Sequence, residues 1–199
     1  MIQKPNDYET AKAYDGQNET IPVGGHICRI LAARVEKSPR TNLDMLALQI
    51  EIADGTKLDG YYHRRFDVSK KYRADAKWPG IYKRTIADEN GNTKSVFKGL
   101  ITAVEKSNPP YTFNWDENSL KGKYVGFNFG KEEYLDSNGE VRVNVKPQFP
   151  LTVERVRSGD YPILERKKLD GNTSGANVGG YSFTPEQPGP NEEKLPWEE

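Results

Sequence analysis

The chain has 199 residues, of which 35% are hydrophobic and 29% are charged, and its mean hydropathy is -0.84. This length allows one sizeable hydrophobic core, and no stretch approaches the roughly 18 consecutive apolar residues that a membrane span needs. The first residues lack the apolar run of a secretory signal, and a single cysteine, Cys28, excludes an internal disulfide. We therefore expect a cytoplasmic protein.

The formal net charge of +0 conceals an uneven distribution of charge along the chain. Residues 171–199 hold five acids and one base (net -4), and residues 1–20 hold four acids and two bases (net -2), so residues 21–170 carry +6. We predict an N-terminal extension over 1–20, a basic domain over 21–170 and a disordered acidic tail over 171–199. A basic domain favours a polyanionic partner, and an acidic tail can compete with that partner.

The first half of the domain has the patterns of three strands. His26–Glu36 is apolar and rich in residues that favour strands, and Met45–Ala53 alternates apolar and polar residues. Asp54-Gly55 is a tight-turn signal, so Leu58–Phe66 is expected to return as the third strand of a meander.

A loop-rich middle precedes the one convincing helix, at about Lys94–Lys106. Its apolar residues recur at i, i+3, i+4 and i+7, which predicts one stripe against a core: Phe97, Leu100, Ile101 and Val104. Asn108-Pro109-Pro110 ends this helix.

The second half has the pattern of a hairpin with one buried face. Val125, Phe127 and Phe129 alternate with polar or small residues, residues 136–139 form a turn signal, and the alternation resumes at Val141. A last short strand is expected over Leu151–Val156. Five strands with a helix between the third and fourth predict a mainly β, OB-fold-like barrel, although another small barrel or an α+β sandwich would have a similar pattern.

Residues 59–84 combine positive charge with aromatic rings. They hold eight bases, three acids and six aromatic residues. Bases neutralise phosphates and aromatic faces stack on unpaired nucleobases, so this composition favours binding to a single strand. The predicted DNA-binding residues are Tyr61, Tyr62, Arg64, Arg65, Lys70, Lys71, Tyr72, Arg73, Trp78 and Tyr82. The alternative is that Tyr61, Phe66 and Tyr82 fill the core and the bases are ordinary solvated surface.

Two further features extend this prediction. His63 is interpreted as another stacking or phosphate-binding group, and a second, weaker basic patch comprises Lys121, Lys123, Tyr124, Lys131, Tyr134, Arg142 and Lys146. The tail ends in an acidic and aromatic segment that solubility alone explains poorly. We predict that it binds a partner protein through Glu192, Glu193, Leu195, Pro196, Trp197, Glu198 and Glu199.

Several short segments resemble bacteriophage single-stranded-DNA-binding proteins of the OB-fold type. They are Ile21–Gly25, Leu100–Lys106, Leu120–Gly126 and Glu133–Arg142. The resemblance implies binding to single-stranded DNA without sequence preference, during replication or recombination in the cytoplasm of a bacterial host. It also implies a tail that recruits replication or recombination proteins. The tail departs from the usual form, because Glu198 and Glu199 follow the final aromatic residue, Trp197.

The sequence contains no motif typical of an enzyme, so we expect a non-enzymatic protein without cofactor or metal. His26 and His63 lack metal-ligand spacing with Cys28 or with each other. Two alternatives stay open: a phage interaction or structural protein whose barrel binds another protein, and a metal-dependent nuclease using Glu51, Asp54 and Lys57. Homo-oligomer formation also stays open.

Overall fold

The computed structural model describes residues 3–10, 19–136 and 138–169. These ranges contain, in chain order, β1 (Gly24–Lys37), β2 (Asp44–Ile52), α1 (Tyr61–Tyr72), β3 (Ile81–Thr85), α2 (Ser95–Ser107), a 3-10 turn (Glu117–Leu120), β4 (Tyr124–Leu135), β5 (Val141–Leu151) and α3 (Val153–Ser158). None of the described helices is long and apolar enough to cross a membrane.

The strands form one antiparallel sheet in the order β3-β2-β1-β4-β5. The start of β1 pairs with β4, and the rest of β1 pairs with β2. Because Cys28 lies opposite both Ile52 and Val125, these three side chains share one face of the sheet. That face carries the core, and α2 packs against it with Phe97, Leu100 and Val104. Each large apolar side chain buried there stabilises the fold by about 1.5–3 kcal/mol.

The mainly β prediction is confirmed, and so are three of its elements. The first two strands match the expected ranges within two residues, and α2 matches the expected helix within one residue, but the helix placement as a whole differs, because α1 lies between β2 and β3 and α3 follows β5. On β2 the predicted apolar face is fully buried: Leu46, Leu48, Ile50 and Ile52. The expected hairpin is the β4–β5 pair, whose turn is held by Asp136, which accepts hydrogen bonds from the backbone N–H groups of Asn138 and Glu140.

The structure does not confirm a closed barrel. β3 and β5 are the two edges of the sheet, and no backbone ladder joins them among the described residues. The edges do approach each other, since the Arg84 guanidinium donates a hydrogen bond to the backbone carbonyl of Gln148. The structure therefore shows an open, five-stranded antiparallel sheet.

The expected strand Leu58–Phe66 is wrong, because the chain forms helix α1 there. Asp54-Gly55 does not make a two-residue hairpin turn; instead the Asp54 carboxylate accepts hydrogen bonds from Thr56, and the chain loops on to Gly60. Gly60 has φ 72°, a left-handed conformation that favours glycine, and it turns the chain into the helix. Tyr62 and Phe66 are four residues apart, a helical spacing. The third strand of the meander is β3, which pairs with β2.

The expected strand Leu151–Val156 is also wrong beyond its first residue. Leu151 ends β5, and Val153–Ser158 is the short helix α3. Thr152 starts this helix, because its hydroxyl oxygen accepts a hydrogen bond from the Arg155 backbone N–H at 3.2 Å. The predicted disordered tail, 171–199, lies outside the described residues.

Candidate nucleic-acid interface

An open groove of about 530 Å³ lies on the sheet face opposite the core. We call it the β1–α1 groove, because β1 contributes its floor and the start of α1 contributes its wall. Its lining residues are Arg29, Leu31, Glu51, Ile52, Ala53, Asp59, Gly60, His63, Arg64 and Tyr124. This lining brings three basic side chains and one exposed tyrosine ring together.

The register of the sheet places three groove residues in one row. Arg29 lies directly opposite Glu51 on β2 and directly opposite Tyr124 on β4, so the three side chains share a face. Arg29 is exposed and forms no ion pair within the described part of the chain. The side chain of Tyr124 is adjacent to it, and the residue is 41% exposed. A free guanidinium thus stands beside an accessible aromatic ring.

The buried carboxylate of Glu51 fixes α1 to the sheet. It accepts hydrogen bonds from the backbone N–H groups of Tyr62 at 2.9 Å and His63 at 2.7 Å, and from its neighbour Ile52 at 2.9 Å. The first N–H groups of a helix have no partner inside the helix, and Gly60 has no side chain to cap them. Glu51 therefore supplies the cap from β2, and its negative charge suits the positive end of the helix dipole.

The wall of the groove carries Arg64 and His63. Arg64 donates to the Glu19 carboxylate, with its Nη2 at 2.8 Å from Glu19 Oε1, and to the carbonyl of Lys57 at 3.1 Å. These contacts hold the guanidinium in place while it stays partly exposed. The His63 ring lies 3.5 Å from the Asp67 carboxylate and is largely exposed. Arg64 is therefore held in the wall by its pair with Glu19, and Arg29 in the floor has no ion-pair partner in the part of the chain that the structure describes.

Three of the predicted DNA-binding residues are part of the core. Tyr61, Tyr62 and Tyr82 are 6%, 5% and 2% exposed and belong to the main hydrophobic cluster. Burial raises the pKa of the Tyr62 hydroxyl well above its ordinary value, and nearby Cys28, Tyr61 and Glu51 act in the same direction. The prediction of a stacking role is wrong for these three residues, because none of their rings has a free face.

Two more predicted residues pack on α1 itself. Trp78 donates its ring N–H to the backbone carbonyl of Ile50 at 3.1 Å and packs its ring 5.4 Å from that of Phe66. Arg65 lies over the Tyr61 ring at 5.7 Å. These contacts hold α1 and the segment after it against β2, and Trp78 keeps only part of its ring accessible.

The remaining predicted residues lie at the far end of α1. Lys70 and Lys71 are in its last turn, where positive charge complements the helix dipole, and Tyr72 is 84% exposed. Arg73 follows the helix and lies 3.8 Å from Asp75. These four side chains form an exposed basic end of α1 that does not line the groove. Of the ten predicted residues, the structure places only Arg64 in the groove lining.

Sequence analysis missed Arg29. The pattern that could have identified it is its position in a strand. Arg29 is the one charged residue within the apolar run from Ile27 to Ala33, and it lies between the apolar residues Cys28 and Ile30. Such a residue must face away from the core. Tyr124, which completes the row, belongs to the second, weaker basic patch predicted from the sequence. Within that patch Arg142 pairs with Asp136 at 3.0 Å and Lys146 with Glu132 at 3.5 Å, so both bases are already engaged.

Glu51 and Asp54, the two acids of the alternative nuclease site, make structural contacts. Glu51 caps α1, and Asp54 accepts hydrogen bonds from Thr56 and lies 3.1 Å from His26 Nδ1. Within residues 3–10, 19–136 and 138–169, no group of three or more His, Cys, Asp or Glu side chains is placed to hold a metal ion. The predicted partner-binding residues of the tail lie outside the described residues.

No protein-family model matches the chain, and no curated protein matches it.

Proposed function

We propose that this protein binds single-stranded DNA without sequence preference through the β1–α1 groove. The observation that carries the proposal is the row formed by Arg29 and Tyr124 on one sheet face: a cation that has no ion-pair partner among the described residues, beside an exposed ring. Arg64 and His63 line the wall of the same groove, where Arg64 already pairs with Glu19 and His63 lies 3.5 Å from Asp67, so Arg29 is the cation on which the proposal rests. The protein acts as a binding protein, with no catalytic step and no bound cofactor.

The chemistry of the groove suits a strand with unpaired bases. Guanidinium groups neutralise phosphates and release their condensed counterions, which makes binding weaken as salt rises. A base stacked on an exposed aromatic ring contributes about 1–3 kcal/mol, and every base has such a face. Duplex DNA keeps its bases stacked internally, so the Tyr124 ring has nothing to stack on in a duplex. Neither interaction depends on base identity.

We further propose that the sheet is an OB-type barrel held together by side chains at its edges. Three observations support this proposal: the strand order, the position of α2 between the third and fourth strands, and the hydrogen bond from Arg84 to Gln148 that joins the two edge strands. In an OB-fold, oligonucleotides bind the face of strands 2 and 3 and the loops that follow strands 1 and 4. The lining of the β1–α1 groove includes residues of β2 but none of β3 or of those two loops, so the proposed groove is displaced from that arrangement.

The setting we propose is phage-type replication or recombination in a bacterial cytoplasm, with the acidic tail recruiting partner enzymes. The support is the charge distribution: a net of -4 on residues 171–199 and +6 on residues 21–170. Opposite charges on one chain allow the tail to compete with DNA when no partner holds it. Deletion of residues 191–199 is therefore expected to leave DNA affinity unchanged or tighter, and marked weakening would contradict a competing tail.

The test of the groove is fluorescence anisotropy with labelled single-stranded and duplex oligonucleotides over a salt series. Single strands are expected to bind tightly and to weaken steeply with salt, whereas duplex binding stays weak. Arg29→Ala should weaken single-strand binding by about tenfold and reduce the salt slope by about 1. Lys98→Ala is the control, because Lys98 is an exposed base on α2 and lies outside the groove lining. Absence of binding at low salt would overturn the proposal.

A second candidate function, binding of another protein, is favoured by a separate observation. Beyond the core, the β4–β5 hairpin carries three exposed apolar side chains on one face: Leu135, Val141 and Val143. Val141 lies directly opposite Leu135 across the hairpin, and Val143 lies opposite Glu133, whose carboxylate pairs with Arg166. Exposed apolar patches of this kind mark interaction sites. This candidate would lead if the groove bound neither form of DNA.

A further inference from the structure

The loop between α2 and β4 exposes a tryptophan in a conformation that its residue type disfavours. Trp115 is 77% exposed, and its backbone has φ 66°. Bulky side chains rarely adopt this left-handed region, and large apolar rings are normally buried. Neither burial nor backbone preference explains the exposure and left-handed backbone of Trp115, and a ligand that stacks on its ring would explain both.

Several contacts brace the loop around Trp115, and one of them reaches its ring. The Phe113 ring lies 5.6 Å from the Trp115 ring, at an angle of 53°. The Phe113 backbone N–H donates to the Glu105 carboxylate of α2 at 2.9 Å. The Tyr111 hydroxyl bonds the Ser119 hydroxyl at 2.8 Å. A positioned ring loses little freedom when a ligand stacks on it, which strengthens binding.

The same loop is fastened to the rim of the β1–α1 groove. The Asn108 side-chain amide donates to the Tyr124 carbonyl at 2.7 Å, and the amide oxygen accepts from the Tyr124 N–H at 2.9 Å. Next to Tyr124, the Lys123 ammonium lies 4.4 Å from the Tyr111 ring centroid. The loop that carries Trp115 is therefore joined to the groove at Tyr124, with Lys123 and the Tyr111 ring beside that junction.

We infer that Trp115, supported by Phe113, is a second stacking platform for a base of the same single strand that occupies the groove. This inference rests on the proposed function and extends the binding path from Tyr124 along the loop. The ligand is a nucleobase because the loop that carries the platform is hydrogen-bonded through Asn108 to Tyr124 of the groove lining, and because Lys123 lies against the Tyr111 ring of that loop. The platform takes a base only when the strand is long enough to leave the groove.

The test compares oligothymidine strands of about 6 and about 20 nucleotides, lengths that bracket the span of one OB-type site. Trp115→Ala should weaken binding of the long strand by about tenfold and leave binding of the short strand unchanged. Trp115→Phe, which keeps a ring, should lose no more than about threefold. Tyr8→Ala is the matched control, since Tyr8 is another exposed aromatic residue outside the groove lining.

The outcomes separate this inference from the proposed function. If Arg29→Ala weakens binding of both strands while Trp115→Ala weakens neither, the groove stands and the Trp115 platform is wrong. If the unmodified protein binds neither strand, both proposals are wrong. Thermal unfolding of each variant checks that the fold is intact, and Trp115→Phe keeps the test decisive if the alanine variant is unstable.

Discussion

Two aromatic-rich regions of this molecule differ in how many of their rings are exposed to solvent. In residues 59–84, Tyr61, Tyr62 and Tyr82 are buried in the core although eight bases surround them in the sequence. In residues 111–124, Trp115 and Tyr124 are exposed although the segment holds only two bases, Lys121 and Lys123. The basic region thus buries three of its six rings and leaves Tyr72 84% exposed, whereas the second region exposes Trp115 and Tyr124 and packs Tyr111 and Phe113 against the core.

The difference shows that composition locates charge better than it locates binding surface. A lysine or arginine is exposed almost wherever it occurs, because burying its charge is costly. A tyrosine lies in the core or on the surface according to the element that carries it. In residues 59–84 that element is a helix fastened to β2, so one side of its first turn faces the core.

The largest expected effect is a loss of stability that tests the difference between the two regions. Tyr62→Ala should lower the free energy of unfolding by about 3–5 kcal/mol, because it removes a large buried ring from the core. Tyr124→Ala should change the free energy of unfolding by less than about 0.5 kcal/mol and instead weaken single-strand binding. Urea denaturation and anisotropy on both variants measure the two effects. Equal loss of stability in both variants would show that the two regions do not differ in role.

A smaller loss of stability is expected when the Glu51 carboxylate, which caps α1, is replaced. Glu51→Ala should lower the free energy of unfolding by about 2–4 kcal/mol, because it leaves the buried N–H groups of Tyr62 and His63 without an acceptor. Glu51→Gln keeps an acceptor oxygen and should cost less. Glu89→Ala, at an exposed position, is the control for urea denaturation. A neutral Glu51→Ala variant would mean that α1 does not depend on this cap.

The smallest effect concerns the loop that leads from β2 to α1. Burial raises the pKa of the Asp54 carboxyl, but hydrogen bonds from Thr56 and His26 outweigh burial and hold the pKa below its ordinary value. A lowered pKa stabilises the fold above the unfolded-state pKa of about 4, and this contribution is lost as the pH falls through the folded-state value. Asp54→Asn should therefore cost about 1 kcal/mol at neutral pH and reduce the acid dependence of unfolding.

The acid dependence should be reduced rather than abolished in that variant. Glu36, Asp88 and Asp136 also have lowered pKa values, from hydrogen bonds or nearby cations. Asp75→Asn is the control, because that carboxylate is largely exposed. Unfolding by urea at a series of acidic pH values measures the slope, and an unchanged slope in Asp54→Asn would contradict the role assigned to its hydrogen bonds.

The predictable parts of the fold are those where local pattern and tertiary environment agree. The alternation on β2 and the apolar stripe of α2 both match side chains that pack in the core, so these two elements could be predicted from their periods, although the other face of β2 is largely buried as well. The turn between β4 and β5 could be predicted from its turn-forming residues. The α1 segment could not be read this way. Its apolar residues, Leu58, Tyr62 and Phe66, are also compatible with alternation over a short stretch. What makes it a helix is a cap supplied by Glu51 from another element.

The amino-acid sequence by itself determined the mainly β class, the charge difference between body and tail, and the presence of bases and rings suited to a nucleic acid. Only the tertiary structure decided which of those rings are accessible. Arg29 and Tyr124 are 95 positions apart and become neighbours through the register of β1 with β4. Side-chain orientation depends on that register and on which helix covers which strand, and both are set by contacts between residues distant in the chain.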